Sequence, residues 1–192
     1  HKHYKMNHAS HVIDTLYLGD NNSGIHAKTV SEFHFVLNCA RDCDYEPPTH
    51  FAYEHLLLND NPNEKILHLF DHNVKSINKY IFSKKNVLLH CYSGKSRSGS
   101  FVLAYLMKIK NMTLDEAYNF VRTKRNILPN LSFMSELIIY DKMIHGKSLF
   151  DINSYTITFI AETFDIDKEK VKYAFNDSSQ SFDKTIDILF PF

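Results

Sequence analysis

Residues 87–100 place a cysteine and an arginine on either side of a short polar loop, in the order VLLHCYSGKSRSGS. The apolar stretch that ends at His90 and Cys91 predicts a buried strand, and residues 101–110 predict a helix. Backbone N–H groups of such a loop can converge on one anion, next to the positive end of the following helix. A cysteine held there reacts as a thiolate, and Arg97 can bind phosphate oxygens. The segment therefore predicts an oxyanion receptor with a nucleophile at its floor.

The spacing Cys91-x5-Arg97, with Ser98 directly after it, resembles the signature of the cysteine-based protein-tyrosine phosphatase superfamily. The surrounding residues are most similar to its dual-specificity branch. The resemblance covers residues 11 to about 145 and includes VIDTLYLG at 12–19, RTKR at 122–125 and the Pro-Asn pair at 129–130. A long tyrosine-recognition loop is not identifiable before Asp60. The resemblance therefore implies a shallow pocket that admits phosphoserine and phosphothreonine as well as phosphotyrosine.

Phosphate monoester cleavage needs a nucleophile, charge stabilisation and a proton donor. Cys91 is the predicted nucleophile, which forms a phosphocysteine, and Arg97 is the predicted two-pronged donor. Asp60 is the predicted general acid, because its Asn/Pro-rich loop resembles the acid loop of the family. Backbone amides are expected to complete the phosphate site, contributed by Tyr92, Ser93, Gly94, Lys95, Ser96 and Arg97. His90 is expected to orient the loop, and Ser98 to donate a hydrogen bond to the thiolate.

Other carboxylates and other functions compete with this interpretation. The rival acids are Asp42, Asp44 and Asp71. A nucleotide-binding P-loop would need a glycine at position 89, where the chain has leucine. Lys95 resembles a residue of phosphoinositide phosphatases, but Tyr92 stands where those enzymes carry a second lysine. The alternatives kept open are a phosphoinositide phosphatase and a phosphate-binding adaptor without turnover.

Charge and cysteine content limit the partners. The 192 residues carry 22 basic and 22 acidic side chains, so neither nucleic acid nor a membrane surface is an expected partner. The expected partner is a phosphorylated protein substrate, and neither a cofactor nor a metal is expected. Three cysteines favour a reducing compartment, hence a cytoplasmic location with the nucleus left open. Cys39 or Cys43 could form a disulfide with Cys91, because reactive thiolates oxidise readily.

Alternating strand and helix patterns predict an α/β fold with a mixed, mainly parallel sheet of about five strands, flanked by helices. A strand pair or a bent strand is expected at 12–19 and a turn at 21–24, and further strands are expected at 34–38, at 51–58 and before Cys91. Helices are expected at 25–33, 66–81, 101–110, after the Thr113 capping box, and after Asn130. The predicted boundaries are a flexible lead-in at 1–10, a phosphatase domain at 11–146 and a helical extension at 147–192.

The extension predicts a small all-α bundle of three short helices, capped by Asp151 or Asn153, by Asp167 and by Ser181. Its pattern is similar to ubiquitin-associated domains, although FDI at 164–166 replaces their usual Met-Gly-aromatic loop. Phe164 is among the residues expected to face inward. The resemblance implies ubiquitin as a possible partner. The alternative is a helical extension that packs on the phosphatase domain or on a partner protein.

Overall fold

The computed structural model describes residues 9–191. These residues form two compact units, which divide between Ser148 and Leu149. The division lies two residues after the boundary predicted from the sequence. Most of the predicted lead-in, residues 1–8, lies outside the described residues, so its flexibility stays a prediction.

The first unit contains a five-stranded sheet with the strand order β1-β2-β5-β3-β4. The strands are β1 (Ser10–Ile13), β2 (Leu16–Gly19), β3 (Phe35–Asn38), β4 (Ala52–His55) and β5 (Val87–His90). The β1–β2 pair is antiparallel, and the β2–β5, β5–β3 and β3–β4 pairs are parallel. The predicted mixed, mainly parallel sheet is confirmed.

The described residues of this unit also form five α-helices, and the first three of these follow strands in the chain. They are α1 (Asn21–Ala27), α2 (Phe70–Phe82), α3 (Arg97–Lys110), α4 (Leu114–Arg122) and α5 (Leu131–His145), with a short 3-10 turn at Leu67–Leu69 before α2. The Thr113 capping box is present at the start of α4, where the Thr113 hydroxyl and the Glu116 carboxylate each accept a backbone N–H.

The centre of this unit fixes the position of residue 91. All four residues of β5 are buried, and so is every residue of α3 from Arg97 to Met107. Phe70 packs edge-on against Phe101, with ring centroids 5.5 Å apart. Because close-packed interiors resist displacement, the loop between β5 and α3 is anchored at both ends.

Two predicted elements differ from the structure. The helix expected at 25–33 lies earlier, at 21–27, in a segment predicted as a turn. The reason is a second capping box, in which the Asp20 carboxylate accepts the Ser23 N–H at 2.9 Å and the Ser23 hydroxyl accepts the Asp20 N–H at 3.2 Å. The strand expected over 51–58 covers only Ala52–His55, because the chain then leaves the sheet edge.

The second unit contains α6 (Ile152–Phe164), α7 (Lys168–Asp177) and α8 (Phe182–Leu189). Their N-caps are Asp151, Asp167 and Ser181, so the three-helix prediction is confirmed. The core contains Ile157, Ile160, Ala161, Val171 and Phe175. The inward placement of Phe164 is wrong: this side chain is 43% exposed and lies against Phe190 instead. Within residues 9–191, no helix combines the length and apolarity needed to cross a membrane.

Candidate active site

Cys91 is the first residue after the central strand β5 and lies at its carboxyl end. Its side chain is buried, while Tyr92, Ser93 and Lys95 of the following loop are exposed. The Ser98 hydroxyl, in the first turn of α3, donates a hydrogen bond to the Cys91 sulfur at 3.1 Å. A sulfur that accepts from a hydroxyl is placed to carry negative charge at the floor of the loop.

In the loop of residues 92–97, the backbone carbonyl oxygens and the backbone N–H groups differ in their hydrogen bonding. Carbonyl oxygens from Tyr92 to Ser96 all accept from groups outside the loop: the Asn21 N–H, the Arg125 guanidinium (twice), the Leu128 N–H and the Ser100 N–H. The N–H groups of residues 92–97, in contrast, donate to no acceptor within the described part of the chain. Donors without partners in a short curved loop form a site for an anion.

Gly94 allows the loop to curve. Its φ is +69°, in the left-handed region that side chains disfavour. A Cβ atom there would lie 2.5 Å from the Gly19 carbonyl oxygen and 2.6 Å from the Arg125 guanidinium. Arg125 donates at 3.0 Å to the carbonyl oxygens of both Ser93 and Gly94, so it holds the outer side of the loop.

Arg97 begins α3, and only 5% of it is exposed. Its Nη1 donates to Asp42 Oδ1 at 2.5 Å and to the Leu58 carbonyl oxygen at 3.1 Å, and its Nη2 lies 3.4 Å from Asp42 Oδ2. The hydrogen bond from Arg97 lowers the pKa of the Asp42 carboxyl. The Arg97 Nε atom is buried and has no hydrogen-bond partner among residues 9–191. Protein contacts thus fix one side of the guanidinium and leave a donor for a ligand.

Asp60 lies on the loop between β4 and α2 and contacts the loop that follows Cys91. Its Oδ1 accepts from the Ser96 hydroxyl at 2.7 Å and from the Asn130 side-chain amide at 2.8 Å. Of the rival carboxylates, Asp42 pairs with Arg97, and Asp71 lies within α2 and accepts from the Tyr140 hydroxyl at 2.8 Å. Asp60 is therefore the carboxylate attached to the loop without an ion pair to Arg97.

His90 lies beneath the loop and is fully buried. Its Nε2 lies 2.7 Å from the Tyr45 hydroxyl, and burial lowers the pKa of His90 to about 4. Burial also raises the pKa of Tyr45 far above its usual value, so this hydroxyl keeps its proton and can donate to a neutral imidazole. Gly24 of α1 packs on the ring, where a Cβ atom would lie 2.5 Å from it.

Sequence reasoning missed four residues that contact this site: Tyr45, Arg125, Asn130 and, as the partner of Arg97, Asp42. Arg125 and Asn130 belong to segments that carried the family resemblance, which was the available signal for them. Tyr45 and Asp42 lie between β3 and β4 in a loop without a local pattern that points to the site.

The model of the dual specificity phosphatase catalytic domain matches residues 16–143. The chain belongs to this family. Human dual specificity protein phosphatase 16 is 37% identical over 143 residues, which are 71% of this chain and 21% of that protein. Protein phosphatase Slingshot homolog 1 of mouse and of human is 35% identical over 146 residues, 74% of this chain and 14% of the relative. The chain thus spans about a fifth or less of the length of these relatives.

Solved structures share the fold. Human DUSP28 matches with a TM-score of 0.66 and 22% identity, covering 70% of this chain and 93% of that one. Human tyrosine phosphatase-like serine/threonine/tyrosine-interacting protein matches with a TM-score of 0.62 and 25% identity, covering 71% and 97%. Both alignments leave more than a quarter of this chain uncovered.

Proposed function

We propose that the chain is a protein phosphatase that hydrolyses phosphotyrosine and phosphoserine/phosphothreonine monoesters through a phosphocysteine. The single observation that carries the proposal is the loop of residues 92–97, whose N–H groups are without acceptors in the described chain while its carbonyls are bonded outward. Membership in the dual specificity phosphatase catalytic domain family supports the same reaction.

In the first step the Cys91 thiolate attacks phosphorus, so an S–P bond forms as the P–O bond to the leaving group breaks. The proton of the Asp60 carboxyl moves to the leaving oxygen, and Asp60 becomes a carboxylate. Arg97 and the amides of residues 92–97 bind the equatorial oxygens as charge shifts in the transition state. Arg97 is suited to this task because Asp42 and the Leu58 carbonyl hold its outer edge.

In the second step water attacks phosphorus and gives a proton to Asp60. The S–P bond breaks, and inorganic phosphate and the Cys91 thiolate are released. The Ser98 hydroxyl, 3.1 Å from the sulfur, stabilises the departing thiolate. His90 supports the loop from below as a neutral ring and takes no proton in either step.

The test is hydrolysis of phosphotyrosine and phosphothreonine peptides by the purified chain, with acid quenching and mass spectrometry of the Cys91 peptide. We expect turnover, a phosphorylated Cys91 peptide and loss of both in Cys91→Ser. Cys43→Ser is the matched control and should keep wild-type turnover, because Cys43 lies outside the loop. Phosphopeptide binding without turnover would favour the adaptor alternative.

A phosphoinositide phosphatase is the alternative substrate assignment, suggested by Lys95 and tested with short-chain phosphoinositides in the same assay. Turnover of these lipids well above turnover of the phosphopeptides would replace the protein-phosphatase assignment. Tyr92 supports the protein substrate. Its exposed aromatic ring lies beside the nucleophile, where it can pack on a peptide but offers no second positive charge to a polyanionic headgroup.

For residues 149–191 we propose a separate helical domain that binds a partner protein, with ubiquitin as the specific candidate. Exposed apolar side chains support this role: Phe164 lies 5.3 Å from Phe190 between ring centroids, and Ile188 is 42% exposed. When unlabelled ubiquitin is titrated into the isotope-labelled chain, resonances of these residues should shift, and the shifts should be lost in Ile188→Ser. An unchanged spectrum at millimolar ubiquitin would remove ubiquitin and leave another protein as the partner.

A further inference from the structure

Two helix N-caps converge on one oxygen of Asp60. Ser96 is the N-cap of α3 and Asn130 is the N-cap of α5. Both side chains reach Asp60 Oδ1, at 2.7 Å and 2.8 Å. Ser96 and Asp60 are 36 residues apart in sequence, and Asn130 and Asp60 are 70 apart.

Ser96 does not use its hydroxyl as N-cap serines usually do. Such a serine normally accepts an N–H from the first turn of its own helix. The Ser96 hydroxyl makes no such bond in α3. It donates to Asp60 and accepts the backbone N–H of Asn130 at 2.9 Å. A local capping bond has been replaced by a contact that joins the acid loop to the phosphate loop.

Asn130 serves two functions with one side chain. Its Oδ1 accepts the Phe133 N–H at 2.9 Å and so caps α5, while its Nδ2 donates to Asp60. Because the cap fixes the orientation of the amide group, the direction of the donor is fixed as well.

We propose that Ser96 and Asn130 are positioning residues that present Asp60 to the leaving group with its proton on Oδ2. Two donors occupy Oδ1, so that oxygen acts as an acceptor. A protonated carboxyl has a single O–H, which then lies on the other oxygen. Asp60 Oδ2 accepts no hydrogen bond within residues 9–191, so its proton is available to the substrate.

A second contact supports this arrangement. Arg97 donates to the Leu58 carbonyl oxygen, two residues before Asp60. The acid loop is therefore attached to the phosphate loop at both Leu58 and Asp60. A carboxyl held in place before substrate binds loses less conformational freedom at the reaction step.

The inference rests on the proposed phosphatase function, and the test separates the two. Ser96→Ala and Asn130→Ser are compared with wild type, using p-nitrophenyl phosphate as a good leaving group and phenyl phosphate as a poor one. Asn130→Ser keeps an oxygen to cap α5 but removes the amide donor. Ser135→Ala is the matched control, because this exposed hydroxyl on α5 bonds only within its own helix, to Leu131.

The ratio kcat/KM reports the first step, in which a misplaced acid slows only the substrates whose leaving group needs a proton. We expect each variant to lose about 10-fold in kcat/KM on phenyl phosphate, and less than about 3-fold on p-nitrophenyl phosphate. In an Asp60→Asn background, Ser96→Ala should cause no further loss on phenyl phosphate. A merely structural role would instead lower turnover of both substrates equally and would add to the effect of Asp60→Asn.

The outcomes differ for the two proposals. Equal losses on both esters, no loss on either, or an additive double variant would overturn the positioning role while the phosphatase assignment stands. If a variant is too unstable to assay, Ser96→Thr replaces it. The retained hydroxyl should preserve turnover of phenyl phosphate, and an equal loss of turnover on both esters would contradict the inference. Absence of hydrolysis in the wild-type chain, under conditions where it is folded, would overturn both proposals.

Discussion

Protonation of His90 should make stability depend on pH in a range that the structure defines. The buried imidazole has a pKa of about 4, because removal from water disfavours its charged form. In the unfolded chain a histidine titrates near 6.5. Between these two pH values His90 is protonated in the unfolded state and neutral in the folded state. The free energy of unfolding therefore falls as the pH decreases from about 6.5 towards 4.

The size of the effect follows from these two pKa values. At pH 7 both states are mainly neutral, and His90 contributes little pH dependence. At pH 5 the lost free energy of unfolding is roughly 2 kcal/mol, and at pH 4 it approaches about 3 kcal/mol. A loss of this size is a large part of the 5–15 kcal/mol typical of a folded domain.

Urea unfolding followed by circular dichroism at pH 7, 6 and 5 measures this loss. His90→Gln removes the titrating group, so its free energy of unfolding should fall by roughly 2 kcal/mol less than that of wild type between pH 7 and pH 5. Other titrating groups cancel in the difference between the two chains. His72→Gln, at an exposed site on α2, should follow the wild-type curve. Parallel pH curves for wild type and His90→Gln would refute the reasoning.

Two further predictions concern the loop and the nearby thiols. Gly94→Ala should weaken vanadate binding and destabilise the chain by more than the roughly 1–2 kcal/mol of left-handed strain, because its Cβ meets a backbone oxygen at 2.5 Å. Gly146 has a φ of +80° but no atom within 4 Å of an added Cβ, so Gly146→Ala measures the backbone strain alone. Equal decreases of the melting temperature in the two variants would contradict the predicted clash at Gly94. Peroxide should oxidise Cys91 to a sulfenic acid that condenses with Cys39, since Asn38 and His90, which directly precede these two cysteines, are partners in the β3–β5 register. Mass spectrometry should find the Cys39–Cys91 disulfide in wild type and in Cys43→Ser, and its absence from both oxidised chains would contradict the prediction.

The sheet and the nucleophile segment could be predicted because their signals are local. An apolar strand, a polar loop and a helix lie within residues 87–110, so this one segment contains the nucleophile, the arginine and the backbone amides of the phosphate loop. The C-terminal helices were similarly predictable, since Asp151, Asp167 and Ser181 cap them directly. The first helix was misplaced for a local reason as well: the box of Asp20 and Ser23 begins a helix where Asn and Gly suggested a turn.

The contacts that hold the site could not be predicted in this way, because they join residues distant in sequence. Arg97 and Asp42 are separated by 55 residues, and Arg125 reaches back 31 residues to the Gly94 carbonyl. Only the folded sheet brings these groups together. Periodicity and capping patterns report on neighbours within one or two turns, so they carry no information about which carboxylate meets which guanidinium.

The division between local and distant contacts also separates the roles of the residues. Those near residue 91 in sequence supply the nucleophile, the arginine and the amides. Residues far from it hold these groups in place: Asp42 pairs with Arg97, Arg125 donates to the Ser93 carbonyl oxygen, and the Asn130 N–H donates to the Ser96 hydroxyl. An anion site of free N–H groups requires carbonyls bonded elsewhere, because an unpaired buried carbonyl is costly. The distant residues are therefore as necessary to the phosphate site as the signature itself, and substitutions there should impair catalysis without altering any group that contacts phosphate.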